Sequence, residues 1–390
     1  MSMQLATGNQ AAGHSMSIAG EANRDARGCI SGIYPITPQT EIVEYVARFP
    51  FSKGRVIPVE SEHSAMGVCI GASLNGARSF TASSSNGLAY MAENVMVAAF
   101  YRLPIVMSAV NRTLGPPWNI WADQGDSLMF RDFAWVQLYC DTNQDVADTA
   151  LLAFRLAEDP RILLPVMVCM DAFIVSHTSM EIDLASQDQA DRFLPACNVP
   201  HRLDQEHPVT VGGMAFPQET LTHRMDLDQA IRSVPAVLDE HRATFKEIFG
   251  REVAGAVSAY RTEDADRIFI ASGTVSITLK DVVDEWRERG EKVGMIRIKM
   301  FRPFPAAEIA RLCSRVNKIG VLDRNYSAGT GGIFWQEVRA ALQGQGDYLV
   351  QGYLTGVGGG DVVPDDVREV VAELTQRTGA GDPVWKGIDQ

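Results

Sequence analysis

Pro104-Ile-Val-Met-Ser-Ala-Val110 is an almost unbroken apolar run, closed by the polar pair Asn111-Arg112. A strand with water on one face alternates apolar and polar residues, whereas a run of this kind is buried on both faces. The same pattern extends outward from it. Upstream, Arg55-Val-Ile-Pro-Val59 and Ser79-Phe-Thr-Ala-Ser83 read as strands, separated by a helix over residues 63–74 that is crowded with Ala65, Gly67, Gly71 and Ala72. A helix over residues 89–100 leads into the run itself. Downstream, a helix over residues 143–158 precedes the strand Pro165-Val-Met-Val-Cys-Met170. Buried strands alternating with helices predict an α/β fold, with a parallel sheet covered on both faces.

Farther along, the regularity fades. Pro195, Pro200, Pro208, Pro217 and Pro235 interrupt residues 182–237, which read as a long irregular excursion before a helix over residues 234–249. A second α/β unit opens at Arg267-Ile-Phe-Ile-Ala271, turns at Gly273 and enters a helix over residues 276–289. Strands at 292–298 and 318–322 follow, then a glycine-rich turn over 329–332 and a helix through Leu342. The expected division is a first domain over 1–250, carrying the excursion, and a second over 258–390. No fixed-period repeat is visible.

Composition narrows the class. The chain has 390 residues, 46% hydrophobic and 21% charged, enough to bury a large core over two or three domains. Its net charge of −13, with no basic run, argues against nucleic-acid and anionic-membrane partners. The longest apolar stretches, such as 95–99, are far shorter than the ~20 residues of a membrane span. The small, polar opening resembles neither a secretory nor a mitochondrial leader, so the expected location is cytoplasmic. Six cysteines, none in a Cys-x-x-Cys pair, are flanked by apolar residues and read as buried thiols of a reducing compartment.

Dinucleotide and P-loop signatures are missing. Ser327-Ala-Gly-Thr-Gly-Gly332 lacks the Gly-x-Gly-x-x-Gly spacing, and Gly358-Gly-Gly360 precedes Asp361 and Pro364. Four other features carry chemistry. In Tyr34-Pro35-Ile36-Thr37-Pro38 two prolines fix the backbone around a threonine, either to aim its hydroxyl or to make a rigid strand-to-helix connection. Glu62, in Glu60-Ser61-Glu62, meets the positive end of a helix and reads equally as a capping acid. Arg112 lies just past a strand end, where parallel sheets hold ligands, and suits a two-pronged carboxylate contact or a structural ion pair. His177, after Ser176, lacks the context of a hydrolase triad and reads as structural.

Taken together, Tyr34-Pro-Ile-Thr-Pro-Gln-Thr-Glu-Ile42, Ser61-Glu62, Thr81-Ala-Ser-Ser84 and Asn111-Arg112 resemble the α subunit of 2-oxoacid:ferredoxin oxidoreductases, the family of pyruvate synthase. Asp132 to Tyr139, Leu164 to Cys169, Ser176-His177, Arg302-Pro-Phe304 and Leu322-Asp-Arg324 extend the resemblance over residues 8–365. It implies an aminopyrimidine-type thiamine diphosphate-binding domain followed by a transketolase C-terminal-like domain. It implies oxidative decarboxylation of a 2-oxo acid, most commonly pyruvate, with coenzyme A as acyl acceptor and ferredoxin as electron acceptor. By the same resemblance, Glu62 would hydrogen-bond N1′ of the aminopyrimidine and favour the tautomer that takes the C2 proton. Thr37 and Arg112 would bind the substrate carboxylate, Arg112 would also help hold the cofactor, and the Pro35 backbone would touch the pyrimidine. Glu60 does not match the family position, and on a strand it would face away from Glu62.

The sequence has no Gly-Asp-Gly for the Mg²⁺-bound diphosphate and no cysteine cluster, so no metal ligands are assigned within it. The resemblance therefore implies a β subunit carrying the diphosphate and Mg²⁺ half-site with a [4Fe-4S] cluster, together with γ and ferredoxin-like δ subunits or fusions. Trp118 and Trp121, in Pro116-Pro117-Trp118-Asn119-Ile120-Trp121, are bulkier than pyruvate-type relatives often carry. They either shape a pocket for a larger acid, such as phenylglyoxylate, 2-oxoisovalerate or 2-oxoglutarate, or only pack, as at a subunit contact. Such a relative could also use another electron acceptor.

Overall fold

The structure, a computed structural model, describes residues 3–387. In chain order, strand β1 (Met3–Ala6), helix α1 (Gly8–Glu21), β2 (Cys29–Ile33), α2 (Thr40–Arg48), β3 (Gly54–Pro58), α3 (Glu62–Leu74) and β4 (Arg78–Ser83) come first. They are followed by α4 (Ser85–Tyr90), α5 (Ala92–Phe100), β5 (Ile105–Asn111), α6 (Gly125–Leu128), β6 (Val136–Cys140), α7 (Asn143–Ala157) and β7 (Val166–Asp171). Next are β8 (Met180–Asp183), α8 (Gln187–Phe193), α9 (Pro217–Phe249), β9 (Val257–Tyr260), β10 (Arg267–Ala271), α10 (Val275–Glu288), β11 (Val293–Ile298) and β12 (Met300–Arg302). The chain closes with α11 (Ala306–Cys313), β13 (Lys318–Asp323), α12 (Ile333–Leu342), β14 (Leu349–Leu354), α13 (Pro364–Gln376) and β15 (Val384–Trp385).

Two mainly parallel sheets result. The larger has the order β12-β6-β7-β5-β4-β2-β3, and only β12 runs antiparallel to its neighbour. Strand β5, which holds most of the apolar run 104–110, is central and buried throughout. The second sheet has the order β15-β14-β13-β10-β11-β9, with β9 antiparallel at one edge. Among the described residues, no helix is long and apolar enough to cross a membrane.

The excursion needs correcting. Residues 217–249 form one helix that runs straight through Pro235. Pro217 sits in the first turn, where its missing N–H costs nothing. Leu227, Ala230, Val234, Val237, Leu238, His241, Phe245 and Phe249 form a buried stripe at helical spacing, and burial of that stripe outweighs the one hydrogen bond lost at Pro235. Residues 180–183 and 187–193 are also regular, as β8 and α8. The helix expected over 89–100 is in fact two, α4 and α5, which meet at Met91.

The two sheets share a core. Tyr139 of β6 packs edge-on against Phe301 of β12 and Phe334 of α12, with ring centroids 6.3 and 5.8 Å apart. The same apolar cluster reaches from Met107 and Leu128 to Ile270, Ile298 and Val321. A buried charge network crosses this junction. Lys299, 1% exposed, places Nζ 2.5 Å from Asp145 Oδ1, Arg297 also pairs with Asp145, and Arg297 Nη1 lies 2.8 Å from Asp141. Burial alone would raise the Asp145 pKa, but Lys299 and Arg297 outweigh it and hold that carboxyl below its ordinary range.

Candidate functional site

Strands β3, β2, β4 and β5 lie in that order and run parallel, so the segments that follow them share one edge of the sheet. These segments carry Glu62, the Tyr34–Pro38 loop, the Ser83–Gly87 corner and Arg112. Ligands in open parallel sheets bind at this carboxyl edge.

Glu62 is the first residue of α3, behind Ser61, whose Oγ accepts from the Ser64 N–H at 3.2 Å. The cap is thus supplied by Ser61, and Glu62 is left for another task. Its side chain is 7% exposed, and among the described residues nothing donates a hydrogen bond to it. It packs against Gly87 so closely that a Cβ there would stand 2.5 Å from Oε1 and 2.7 Å from Ser83 Oγ. Ser83 Oγ is itself buried without a partner. Unlike Ser83 Oγ, the Glu62 oxygens keep access to solvent, so this carboxylate stays open to a donor from outside the chain. Glu60 is not on a strand, because β3 ends at Pro58. Its exposed carboxylate accepts from Ser64 Oγ, so the two acids are separated by the helix start rather than by strand alternation.

The Tyr34–Pro38 loop is pinned from inside. Gln39 Nε2 donates to the Tyr34 carbonyl at 2.8 Å, and Asn9 Nδ2 donates to the Pro38 carbonyl at 2.7 Å. Pro35 and Thr37 are left exposed on the rim. Arg112 reaches this loop and donates from Nη1 to the Thr37 carbonyl at 2.6 Å and from Nε to the Asn119 carbonyl at 3.1 Å. Among the described residues its guanidinium has no carboxylate within ion-pair distance, so the ion-pair reading fails. Burial lowers its pKa from the ordinary value, and Asp126 opposes the shift.

Sequence reasoning missed Asp126, which holds this edge together. Its carboxylate accepts from the Ser85 N–H at 2.8 Å, the Arg112 N–H at 3.0 Å and Asn111 Nδ2 at 2.8 Å. Burial pushes its carboxyl up to about 7 against these N–H groups. Ser85 Oγ donates to the Thr113 carbonyl at 2.5 Å, and Asn86 bonds both the N–H and the carbonyl of Gly115. The corner that backs Glu62 is therefore tied to the loop that carries Arg112. Nothing in local periodicity marks Asp126; the available signal was the Ser83–Gly87 cluster facing an Asn-Arg strand end.

His177 lies on the rim. Its Nε2 is 3.0 Å from Glu41 Oε1, Ser176 Oγ is 2.8 Å from its Nδ1, and its ring packs on Phe173. Phe173 in turn meets Trp121, ring centroids 5.1 Å apart. Trp118 and Trp121 are 69% and 51% exposed, so neither packs into the core of this chain.

Two stretches of the chain match known family models. Residues 22–243 match the model of the pyruvate flavodoxin/ferredoxin oxidoreductase family described as its thiamine diphosphate-binding region. Residues 265–367 match core domain II of pyruvate:ferredoxin oxidoreductase. The pyruvate synthase subunit PorA of Methanothermobacter thermautotrophicus is 42% identical over 354 residues, covering 90% of this chain and 91% of that one. The ketoisovalerate oxidoreductase subunit VorA of Pyrococcus abyssi is 41% identical over 355 residues, covering 90% and 89%. Among solved structures, the 2-oxoglutarate:ferredoxin oxidoreductase of Magnetococcus marinus superposes with a TM-score of 0.75 at 20% identity, covering 96% of this chain and 65% of that one. A split-gene transketolase superposes at 0.56 with 12% identity, covering 95% and 97%. These last two likenesses speak for the fold.

Proposed function

This chain belongs to the pyruvate:ferredoxin oxidoreductase family, with the α-type subunits of 2-oxoacid:ferredoxin oxidoreductases, and we propose that it supplies the aminopyrimidine half of a thiamine diphosphate site in a multi-subunit enzyme. The observation that carries this reading is Glu62, a buried carboxylate without a donor, backed by a glycine and an unpartnered hydroxyl. A carboxylate so placed suits a heterocycle whose ring nitrogen can share a proton with it. When bound, thiamine diphosphate supplies the carbanion chemistry that lets a 2-oxo acid lose CO₂. In this reading Glu62 holds a proton at N1′ of the pyrimidine. The backbone of Pro35 covers one side of the ring. Arg112 and Thr37, already linked, face the substrate carboxylate, and the Asp126 network keeps Arg112 in place.

We assign the cofactor half to residues 1–250 and the transketolase-like unit to 258–390. The diphosphate, Mg²⁺ and iron–sulfur clusters fall to a β subunit and to γ- and δ-type partners, and coenzyme A and ferredoxin serve as acyl and electron acceptors. Pyruvate is the leading substrate. 2-Oxoisovalerate is the second reading, favoured by an almost equal identity to a ketoisovalerate oxidoreductase subunit. The test is coenzyme A-dependent reduction of ferredoxin by the purified complex with pyruvate, 2-oxoisovalerate, 2-oxoglutarate and phenylglyoxylate. Pyruvate is expected to give the highest kcat/KM, and a branched acid oxidised in its place would reverse the order of the two readings.

Two substitutions probe the rim. Arg112→Ala is expected to raise KM for the 2-oxo acid by the equivalent of about 1.5–3 kcal/mol, the loss of a charge-assisted contact, with Arg112→Lys recovering only part. An unchanged KM with a lowered melting temperature would reduce Arg112 to a tie between two loops. Trp118→Ala should leave the stability of the chain within roughly 0.5 kcal/mol, since the indole is exposed. Its effect should appear instead in the 2-oxo acid profile or in subunit affinity. If all three measurements match the parent protein, Trp118 has no part in either.

A further inference from the structure

We propose that a second, separate pocket in this chain binds a small oxyanion, a carboxylate or phosphate carried on an apolar body, with Arg324 as its anchor. The pocket lies where the carboxyl edge of the second sheet meets the segments that follow β6 and β7 of the first. Strand β10 has β11 on one side and β13 on the other, so the segments after β10 and β13 diverge there. Such a reversal of strand order opens a crevice at the strand ends and is where doubly wound sheets take ligands.

The two diverging segments shape the crevice, and the second of them brings the group suited to an anion. After β10 the chain turns at Gly273, φ +59°, and enters α10, a helix of 14 residues whose first turn presents Thr274, Ile277 and Thr278 to the crevice. The Asp171 carboxylate already caps that helix start, accepting from the Thr274 N–H and hydroxyl, so the start of α10 shapes the crevice but leaves the anchoring of an anion to the other segment. After β13 comes Arg324, 3% exposed, which lines the same crevice. Its Nε and Nη1 are buried without a hydrogen-bond partner, and among the described residues no carboxylate lies within ion-pair distance of it.

The acids that could have neutralised Arg324 are engaged elsewhere. Asp323 points its carboxylate at the Phe334 and Trp335 N–H groups and at Asn325. Asp123 accepts from the Gly125 and Gly358 N–H groups at 2.8 and 2.9 Å. Asp171 takes the N–H and hydroxyl of Thr274. Removing a guanidinium from water without a partner is expensive, so an anion entering the crevice recovers a large interaction.

The rest of the crevice sets the ligand class. Its volume is about 320 Å³, and Ile174, Ile277 and Val362 make its walls apolar. Asp141, paired with Arg297, and the exposed Asp361 also line it and disfavour a polyanion. One oxyanion on a compact apolar body fits; a triphosphate does not. None of these residues belongs to the Glu62–Arg112 site.

The full chain in its purified complex would be titrated calorimetrically with phenyl phosphate and, separately, with phenylacetate. At least one should bind saturably, and the stronger of the two identifies the oxyanion. Arg324→Met should weaken that binding about tenfold or more, as loss of a charge-assisted contact implies. Ile277→Glu is the second variant. It leaves the buried arginine alone, sits at a position 39% exposed, and should weaken binding by placing a carboxylate at the mouth. Failure of both probes to bind, or binding unaffected by either substitution, overturns the proposal. So does binding that is lost only in Arg112→Ala, which would place the anion at the other site.

Discussion

Glu62→Gln is expected to leave folding and assembly intact and to lower kcat by about 10²-fold or more, the scale of a lost, positioned proton transfer. The amide is nearly the size of the carboxylate, and the cap of α3 comes from Ser61, so the helix start is not disturbed. Removing a carboxylate from the first turn should cost at most about 1 kcal/mol of stability. The amide cannot share a proton with a pyrimidine nitrogen as a carboxyl group does, so the defect should show in exchange of the C2 proton of bound thiamine diphosphate. Glu60→Gln is the control, exposed and bonded only to Ser64, and should be mild. Gly87→Ala should reproduce part of the defect, because its methyl group would stand 2.5 Å from Oε1 and push the carboxylate aside. Normal C2 exchange in Glu62→Gln, or a larger loss in Glu60→Gln, would mean that the wrong acid has been assigned.

The isolated chain is expected to show no 2-oxo acid oxidation and no micromolar binding of thiamine diphosphate, with both appearing on assembly. The sequence has no Gly-Asp-Gly, and its six cysteines are scattered and buried. In the proposed reading Glu62 holds only the heterocycle, whereas in thiamine enzymes most of the cofactor's charge is met through Mg²⁺. Equilibrium dialysis of the chain alone and of the reconstituted complex separates the two cases. Tight binding by the chain alone would place a diphosphate site within it and remove the need for a shared one.

The buried strands were legible because β-branched and apolar runs of five to seven residues have few other uses in a soluble α/β protein. Glu62, Thr37 and Arg112 were legible as a set through a motif, and the structure links Thr37 to Arg112 directly. What stayed hidden depended on tertiary contacts. Pro235 reads as a breaker, yet α9 continues through it because its neighbours bury a stripe on both sides of the proline. Asp126 looks like one acid among many until folding brings it beside Ser85, Asn111 and Arg112. Glu60 was set apart from Glu62 for the wrong reason, because it lies between the end of β3 at Pro58 and the start of α3 rather than on a strand.

Strand β12 belongs, by sequence, with the second sheet but closes the edge of the first, against β6. During synthesis β6 therefore stays unpaired on that side until the chain has passed through β9, β10 and β11. An open strand edge of this kind invites pairing with other chains. A gene cut between the sheets would leave that edge bare for good, along with the apolar faces of Tyr139 and Phe334. Expressing the two halves separately thus favours aggregation over a usable fragment, and labels or fusions are better placed at the exposed residues 205–210 than at the apparent boundary near 250.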